Sequence, residues 1–249
     1  MTRRRWIADS WTATTAILTG DQAVHLARVL RAEPGQIYDV VAGGFLHRAE
    51  IASVSEKEVH FTLHEELESD AALPLHLLLA VFKFDHMEWA IEKATELGIA
   101  RITPILARRT EKHLAQSALK RSERWRRITL EASKQSRRTT IPEVSDPIPL
   151  KQALEQEKSP NRILHSETEQ ALTLTAALEH QNAASTPEPS DPGSFITHAL
   201  AIGPEGGWTS EEMALFKQHN WQPVTLGPRI LRAETAAIAA IAIASTHLS

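Results

Sequence analysis

The stretch from Ala201 to Ala240 reads AIGPEGGWTSEEMALFKQHNWQPVTLGPRILRAETAAIAA, and the interpretation of the whole chain starts from it. One apolar run ends at Gly203-Pro204, and a second ends at Gly227-Pro228. Apolar runs that stop at such residues are typical of buried strands followed by loops. The stretch therefore predicts two strand-to-loop transitions close together in the sequence, the second leading into a helix rich in alanine and isoleucine.

The two loops share a composition suited to ligand binding. Glycine lets a ligand approach the main chain closely, and proline fixes its own φ, so that neighbouring amides are held in place. In α/β proteins, ligands bind in loops at the carboxyl ends of parallel strands. Either loop alone could equally be an ordinary strand-to-helix turn. Two such loops so close in sequence predict one shared ligand site.

Composition limits the class of protein. The chain has 249 residues, of which 42% are hydrophobic and 23% charged, as in soluble globular proteins of one large or two smaller domains. It contains no cysteine, which excludes disulfides, thiolate zinc sites and cysteine nucleophiles. No apolar run approaches the roughly 20 residues that span a bilayer, and the N-terminus lacks the apolar core of a signal peptide. We expect a cytoplasmic protein without membrane contact.

The net charge of −4 is unevenly distributed. Residues 101–140, the basic segment, contain twelve lysines and arginines and three glutamates, so that this segment carries +9 and the remainder −13. Clustered basic side chains in an acidic protein suit phosphate contacts, each of which releases counterions. A solvated helix face would have a similar composition. The imbalance favours a polyanionic partner.

The periodicity of apolar residues divides the chain in two. Residues 1–70 predict a small β-rich domain, with period-2 alternation over residues 59–63 and a link over residues 65–72. Residues 73–249 predict an α/β domain. Its first unit is a continuous apolar strand over residues 75–82, a helix ending at Gly98 and a strand over residues 99–106, an arrangement that builds parallel sheets.

Further helices are predicted from their start signals. Ser122 is expected to open one helix, and another is expected over residues 167–178. Thr209, followed by Glu212 three residues later, has the pattern of a capping box that starts a third. The helix before Gly98 carries a polar face that includes Lys93. No histidine stands at metal-motif spacing from the carboxylates of this face, so we expect a structural or RNA-facing role and no metal.

Several motifs together resemble the RsmE family of SPOUT-class methyltransferases. The most specific are the two loops, Ile202-Gly203-Pro204-Glu205-Gly206-Gly207 and Leu226-Gly227-Pro228-Arg229-Ile230-Leu231-Arg232-Ala233-Glu234-Thr235-Ala236. Residues 25–31, 83–109 and 124–144 resemble further motifs of that family. The likeness therefore extends over nearly the whole chain.

The resemblance implies a fold and an activity. Members of this family methylate N3 of uridine 1498 in 16S ribosomal RNA, using S-adenosylmethionine. The implied fold is a PUA-like β-barrel that binds RNA, over residues 1–70. It is followed by a SPOUT α/β domain with a parallel sheet and a C-terminal trefoil knot over residues 73–249. The implied partners are 16S rRNA or the assembled small ribosomal subunit, and a second copy of the chain.

The resemblance also implies site residues. Backbone groups of the two loops would bind the cofactor, with apolar side chains as walls. The candidate cofactor-binding residues are Ile202, Gly203, Pro204, Glu205, Gly206, Gly207, Leu226, Gly227, Ile230, Leu231, Ala233 and Ala236. The candidate RNA-binding residues are Arg28, Arg31, Lys83, Lys93, Arg109, Arg137 and Arg138.

The chemistry of uracil N3 singles out three candidate catalytic residues. N3 carries a proton and becomes nucleophilic when the proton leaves, so cationic donors near the uracil carbonyls would favour the anion. Arg232 is the first candidate and Arg229 the second, although each could instead form a structural ion pair with Glu234 or Glu205. The proton acceptor could be Glu205, Glu234 or water, because arginine is a poor base.

Other functions remain open at this stage. A non-catalytic RNA-binding or ribosome-associated protein would retain the barrel and the basic segment, and a related knotted enzyme would modify another RNA target. A dinucleotide-dependent enzyme would require a G-x-G-x-x-G fingerprint, which the sequence lacks. Binding of S-adenosylmethionine distinguishes the methyltransferases from the other classes.

Overall fold

The computed structural model describes residues 5–68, 72–136, 138–184 and 196–248. Within these ranges the chain forms two compact units. The N-terminal unit extends to residue 71 and also includes residues 133–141, which the sequence predicted to be part of the α/β domain over residues 73–249. The C-terminal unit comprises residues 72–132 and those from 142 onward.

The described part of the N-terminal unit contains a six-stranded sheet of order β1-β4-β5-β6-β3-β2. Its strands are β1 (Arg5–Ile7), β2 (Ser10–Trp11), β3 (Thr15–Thr19), β4 (Ile37–Ala42), β5 (Phe45–Val54) and β6 (Glu58–Leu67). A short helix α1 (Gly20–Val24) continues into a π-helical turn (His25–Val29). Leu18, Val40, Ile51 and Phe61 form part of its buried core.

One segment at the start of the chain pairs with both edges of this sheet. Strand β1 runs parallel to β4, and β2 runs antiparallel to β3. The N–H of Ala8 donates to the carbonyl of Val41 at 2.8 Å, and the next amide, of Asp9, donates to Ile17 at 2.9 Å. The segment thereby joins the two ends of the sheet.

The described part of the C-terminal unit contains a parallel sheet of order β10-β8-β7-β12-β11-β13, with β9 also paired to β8. Its strands are β7 (Leu73–Ala80), β8 (Ile99–Leu106), β9 (Glu143–Val144), β10 (Ile148–Pro149), β11 (Asn161–His165), β12 (His198–Ile202) and β13 (Gln222–Val224). Its helices are α2 (Phe84–Glu96), α3 (Lys112–Gln135), α4 (Leu150–Gln156), α5 (Leu174–Ala184), α6 (Ser210–Gln218) and α7 (Ala233–Leu248).

Helices cover this sheet on both faces. Leu77 and Leu79 of β7 contribute to a core formed with α2, α5 and α7, whereas Leu78 between them contributes to a second core with α4 and α6. This alternation follows from the two-residue period of a strand. It explains why β7 and β12 are apolar along nearly their whole length.

The parallel order places several loops at one edge of the sheet. Strands β11, β12 and β13 are neighbours and run in the same direction, so that their carboxyl ends lie side by side. The loops after Ile202 and Val224 start from this edge, as does the segment after His165. The sheet topology thus assembles a site from distant parts of the sequence.

Three sequence predictions of element boundaries were wrong. Ser122 does not open a helix but lies buried within α3, which begins at Lys112. The helix predicted over residues 167–178 begins at Leu174, and the acidic link over residues 65–72 is still strand as far as Leu67. In each case pairing or packing at a distance extends or delays an element beyond its local signal.

No helix in the described ranges has the length and apolar character needed to cross a membrane.

Candidate functional site

The two Gly-Pro loops meet at one cavity of about 520 Å³ in the C-terminal unit. The first loop contributes its residues 202–207, and the second contributes residues 230–233 together with Ala236. Of the twelve predicted cofactor-binding residues, the cavity is lined by Ile202, Gly203, Pro204, Glu205, Gly206, Gly207, Ile230, Leu231, Ala233 and Ala236. The structure therefore brings together the two loops that the sequence predicted to share one ligand site.

The remaining predicted loop residues lie away from the cavity wall. Leu226 is half-buried against the core beneath α7, and Gly227 adopts a φ of 113°, a conformation that side chains disfavour. Neither is among the lining residues. Both residues lie between the end of β13 and the part of the second loop that lines the cavity.

The first loop is tightly packed. The N–H of Gly207, at a φ of 70°, donates to the carbonyl of Pro204 at 2.8 Å. A Cβ added at Gly203 would lie 3.1 Å from Nε1 of Trp208, and one at Gly206 would lie 3.3 Å from Cδ of Arg109. A side chain at either position would therefore require the side chain of Trp208 or Arg109 to shift by a few tenths of an ångström.

A buried carboxylate connects this loop to the end of β8. Glu212 is 3% exposed and accepts from the N–H of Thr209 at 2.8 Å, which confirms the predicted capping box at the start of α6. Its other oxygen accepts from the N–H of Arg108 at 2.7 Å. The helix start, and with it the loop before it, is thereby attached to residues 107–110.

The second loop leads into α7 beside another buried carboxylate. Glu234 is 3% exposed in the first turn of α7, where the helix dipole favours an anion. Its Oε1 lies 3.1 Å from Nδ1 of His86 at the start of α2. His86 also lines the cavity, so that this pair joins α2, α7 and the cavity wall.

A third wall of the cavity was missed by the sequence prediction. It is formed by residues 165–168, which are the last residue of β11 and the three that follow it. Burial lowers the pKa of His165 below its usual value, although the nearby charge of Glu167 opposes this effect. The signal that could have found this segment is its position after a strand adjacent to β12, but strand order is not encoded locally.

The charged side chains of the cavity are of both signs. Lys83, Arg109 and Arg232 line it together with Glu167 and Glu205. The ammonium of Lys83 lies 3.9 Å from Oε2 of Glu205. Such a wall offers carboxylates to a cationic ligand and cations to an anionic one.

The three candidate catalytic residues differ in position. Arg232 and Glu205 line the cavity, whereas Arg229 does not. Both arginines are exposed, and no carboxylate of the described residues lies within 4.0 Å of either guanidinium. The alternative of a structural ion pair with Glu205 or Glu234 is therefore absent from this conformation.

The candidate RNA-binding residues have varied surroundings. Lys83 and Arg109 line the cavity. Lys93 pairs with Glu92 at 2.8 Å and Glu96 at 2.7 Å, and Arg28 pairs with Glu56 at 3.2 Å. Arg31 adopts a φ of 49°. Burial lowers the pKa of Arg138 to about 10. Arg137 lies outside the described residues.

Comparison with known proteins identifies the family. A model described as RNA methyltransferase domain matches residues 69–245. The chain is 34% identical over 229 residues to ribosomal RNA small subunit methyltransferase E of Synechocystis sp., covering 92% of this chain and 72% of that protein. It is 32% identical over 237 residues to the Bacillus subtilis protein of the same name, covering 94% and 90%. The chain belongs to the ribosomal RNA small subunit methyltransferase E family.

A solved structure of a member of this family has the same fold. Ribosomal RNA small subunit methyltransferase E from Neisseria gonorrhoeae, bound to S-adenosyl methionine, matches the chain with a TM-score of 0.77 and 28% identity over 98% of both chains. The resemblance inferred from the two loops is thus confirmed. So is the α/β fold with a parallel sheet.

Proposed function

We propose that this member of the ribosomal RNA small subunit methyltransferase E family transfers a methyl group from S-adenosylmethionine to N3 of a uridine in 16S rRNA, uridine 1498. The observation that carries the proposal is the convergence of residues 202–207 and 230–233 on one cavity beside Arg232. The relatives named ribosomal RNA small subunit methyltransferase E share about a third of their residues with the chain, over most of its length.

The cavity fits the cofactor. Its volume of about 520 Å³ lies within the range of small-molecule sites. Ile202, Met213 and Leu231 supply apolar walls, and the glycine loops bring backbone groups close to the space between them. Glu167 and Glu205 supply negative charge, which suits a ligand that carries a sulfonium and an ammonium.

The residues around the cavity would prepare the acceptor base. S-adenosylmethionine supplies a methyl group activated by a positive sulfur. The chain's own task is to align the uracil ring and to stabilise the N3 anion. Arg232 is suited to donate hydrogen bonds to a uracil carbonyl, because it lines the cavity without a carboxylate partner among the described residues. Glu205, on the same cavity, is the candidate proton acceptor; Glu234 is shielded by burial.

We further propose that the N-terminal unit is a PUA-like barrel that contacts the RNA. Its support is the pairing of residues 5–11 with both edges of the sheet, which is what closure requires. The described residues 5–68 carry more acidic than basic side chains, so phosphate contacts would come mainly from the basic segment.

We also propose that the C-terminal end is a trefoil knot and that the protein works as a cytoplasmic homodimer. The strand order supports the knot, since β13 lies at the edge beyond β11 while α7 returns to pack on α2 and β7. Supporting the dimer, Trp89 of α2 is 49% exposed, and the neighbouring α7 carries the half-buried apolar residues Ile238, Ala239 and Ile243. Multi-angle light scattering would test the dimer, and a monomeric mass would exclude it.

The test of the function is methylation of small ribosomal subunits that lack this modification. We expect the purified protein with S-adenosylmethionine to methylate one uridine at N3, located by mass spectrometry of nuclease fragments. Methylation of another nucleotide would identify a related enzyme with a different target. Binding of RNA without any binding of S-adenosylmethionine in calorimetry would support the non-catalytic alternative.

A further inference from the structure

Arg109 makes a contact within the protein that RNA binding does not require. Its guanidinium Nη1 donates a short hydrogen bond to the carbonyl of Gly206, 97 residues away in the sequence. Its aliphatic stem lies against Gly206, since an added Cβ would be 3.3 Å from Cδ and 3.5 Å from Cβ of Arg109. The side chain therefore covers the first glycine loop at the cavity.

The peptide plane between Gly206 and Gly207 is held at both ends. The carbonyl of Gly206 accepts from Arg109, and the N–H of Gly207, in the same rigid plane, donates to the carbonyl of Pro204. Rotating this plane would break both hydrogen bonds. A loop fixed in this way loses less conformational freedom when it binds a ligand.

The segment that carries Arg109 is itself anchored. The hydroxyl of Thr110 donates to the carbonyl of Val81 at 2.9 Å, and the N–H of Arg108 donates to the buried Glu212 at 2.7 Å. Residues 108–110 are thus attached both to the end of β7 and to the start of α6. Arg109 extends from a fixed base to a loop that is otherwise exposed at Glu205 and Gly206.

We propose that Arg109 is a positioning residue for cofactor binding, which sets the orientation of the first glycine loop before the cofactor enters. This inference rests on the proposed function, because it assigns the loop to S-adenosylmethionine. It differs from the RNA-binding role that the sequence suggested for Arg109. An arginine has five N–H donors, and Arg109 uses one of them in the hydrogen bond to Gly206.

The experiment measures cofactor and RNA binding separately. Calorimetry without RNA gives the Kd of S-adenosylmethionine for wild type, Arg109→Ala, Arg109→Lys and the control Arg108→Ala. Filter binding at several salt concentrations gives the affinity for the RNA. Arg108→Ala is the matched control because it removes the same charge one residue away. The structural contact of Arg108 is made by its backbone N–H, which alanine keeps.

We expect Arg109→Ala to raise the cofactor Kd about tenfold, the loss typical of a hydrogen bond from a charged donor. Arg109→Lys should recover part of this loss, because an ammonium can still reach one carbonyl but lacks the planar guanidinium. The KM for the cofactor should rise while kcat at saturating cofactor stays within about twofold. Arg108→Ala should leave the cofactor Kd unchanged.

A double-mutant cycle tests the contact itself. Gly206→Ala should weaken cofactor binding in the wild-type background, because the added methyl must displace the Arg109 stem, and should weaken it less in the Arg109→Ala background. Equal effects in both backgrounds would contradict the inference. If Arg109→Ala lost its fold, the same cycle with Arg109→Ser, which also lacks Cδ, would replace it.

Two outcomes separate this inference from the function on which it rests. If the wild-type protein does not bind S-adenosylmethionine, both the proposed function and the positioning role of Arg109 are wrong. A wild-type protein that binds, with an Arg109→Ala variant of equal cofactor Kd, would overturn the positioning role and leave the function intact. If that variant lost RNA affinity while its cofactor binding was unchanged, Arg109 would be an RNA-binding residue instead.

Discussion

Nδ1 of His86 lies 3.1 Å from Oε1 of Glu234, at the point where the beginning of α7 adjoins the beginning of α2, and the two atoms lack the angles of a hydrogen bond. Glu234 is 3% exposed, whereas the side chain of His86 is 30% exposed and borders the cavity. The second loop enters α7 immediately before Glu234. The position of that loop therefore depends on a contact between two helices far apart in sequence.

His86→Leu is expected to destabilise the protein, because it leaves a buried carboxylate without its partner. Loss of this polar neighbour costs on the order of 1 kcal/mol of the free energy of unfolding, the low end of the range for a buried polar group. Urea unfolding measures the change. The double variant His86→Leu/Glu234→Gln should recover most of the lost free energy of unfolding. If the loss in the double variant equalled the sum of the losses in the two single variants, the two side chains would not interact.

Arg232→Ala should slow methyl transfer while S-adenosylmethionine still binds. Removal of a donor to a developing anion lowers kcat by roughly 100-fold to 1000-fold. Single-turnover methylation at saturating cofactor measures this step. Arg229→Ala is the matched control: Arg229 is also exposed, but it does not line the cavity, so that its effect should be much smaller. Equal losses in the two variants would indicate a shared role in RNA binding.

Gly206→Val should abolish most cofactor binding without unfolding the protein. A Cβ at this position would lie 3.3 Å from Cδ of Arg109, so that the side chain of valine would displace the Arg109 side chain that contacts the loop. We expect a Kd increased by at least about tenfold, from a clash of roughly 1–3 kcal/mol. Calorimetry and circular dichroism measure binding and folding. Wild-type affinity in a folded variant would remove this loop from the binding site.

The exposed cations of α3 should contribute to RNA affinity. Lys120 and Arg127 lie seven residues apart on this helix, and no carboxylate of the described residues lies within 4.0 Å of either. Reversing both to glutamate should weaken RNA binding and reduce the salt slope by about 0.7 for each phosphate that is no longer neutralised. Lys151→Glu, an exposed reversal on α4, is the control. A salt slope equal to that of the control would exclude this face of α3.

The buried pair of His76 and Glu157 should make stability depend on acid pH. Burial would raise the pKa of Glu157, but the hydrogen bond and charge of His76 and the amide of Ser159 outweigh it and lower the pKa from 4.5 to about 2. Because the folded-state pKa lies below the unfolded value, the stabilisation is complete above about pH 4.5 and is lost as the pH falls toward 2. At about 1.4 kcal/mol per pKa unit, the loss is on the order of 3 kcal/mol.

Urea unfolding at about pH 6 and about pH 3 measures this loss. The Glu157→Gln variant should show a smaller decrease between the two pH values, since its amide does not titrate. A decrease equal to that of the wild type would assign the acid sensitivity to other groups.

The sequence by itself determined what depends on nearby residues. The capping box of Thr209 and Glu212 is a contact three residues apart, and the helix end at Gly98, with a φ of 96°, follows from the freedom of glycine. The α/β class followed from the two periods of apolar residues. The composition of the two Gly-Pro loops gave most of the cavity residues, because their motif specifies the backbone.

Only the tertiary structure decided which distant segments meet. The wall over residues 165–168, the contact of Arg109 with Gly206 and the pair of His86 with Glu234 all join segments separated by many residues. The wall over residues 165–168 adjoins the first loop because β11 lies beside β12, whereas Arg109 follows β8, which β7 separates from β12. Strand order is set by the packing of the whole sheet between its helices, and no local pattern encodes it.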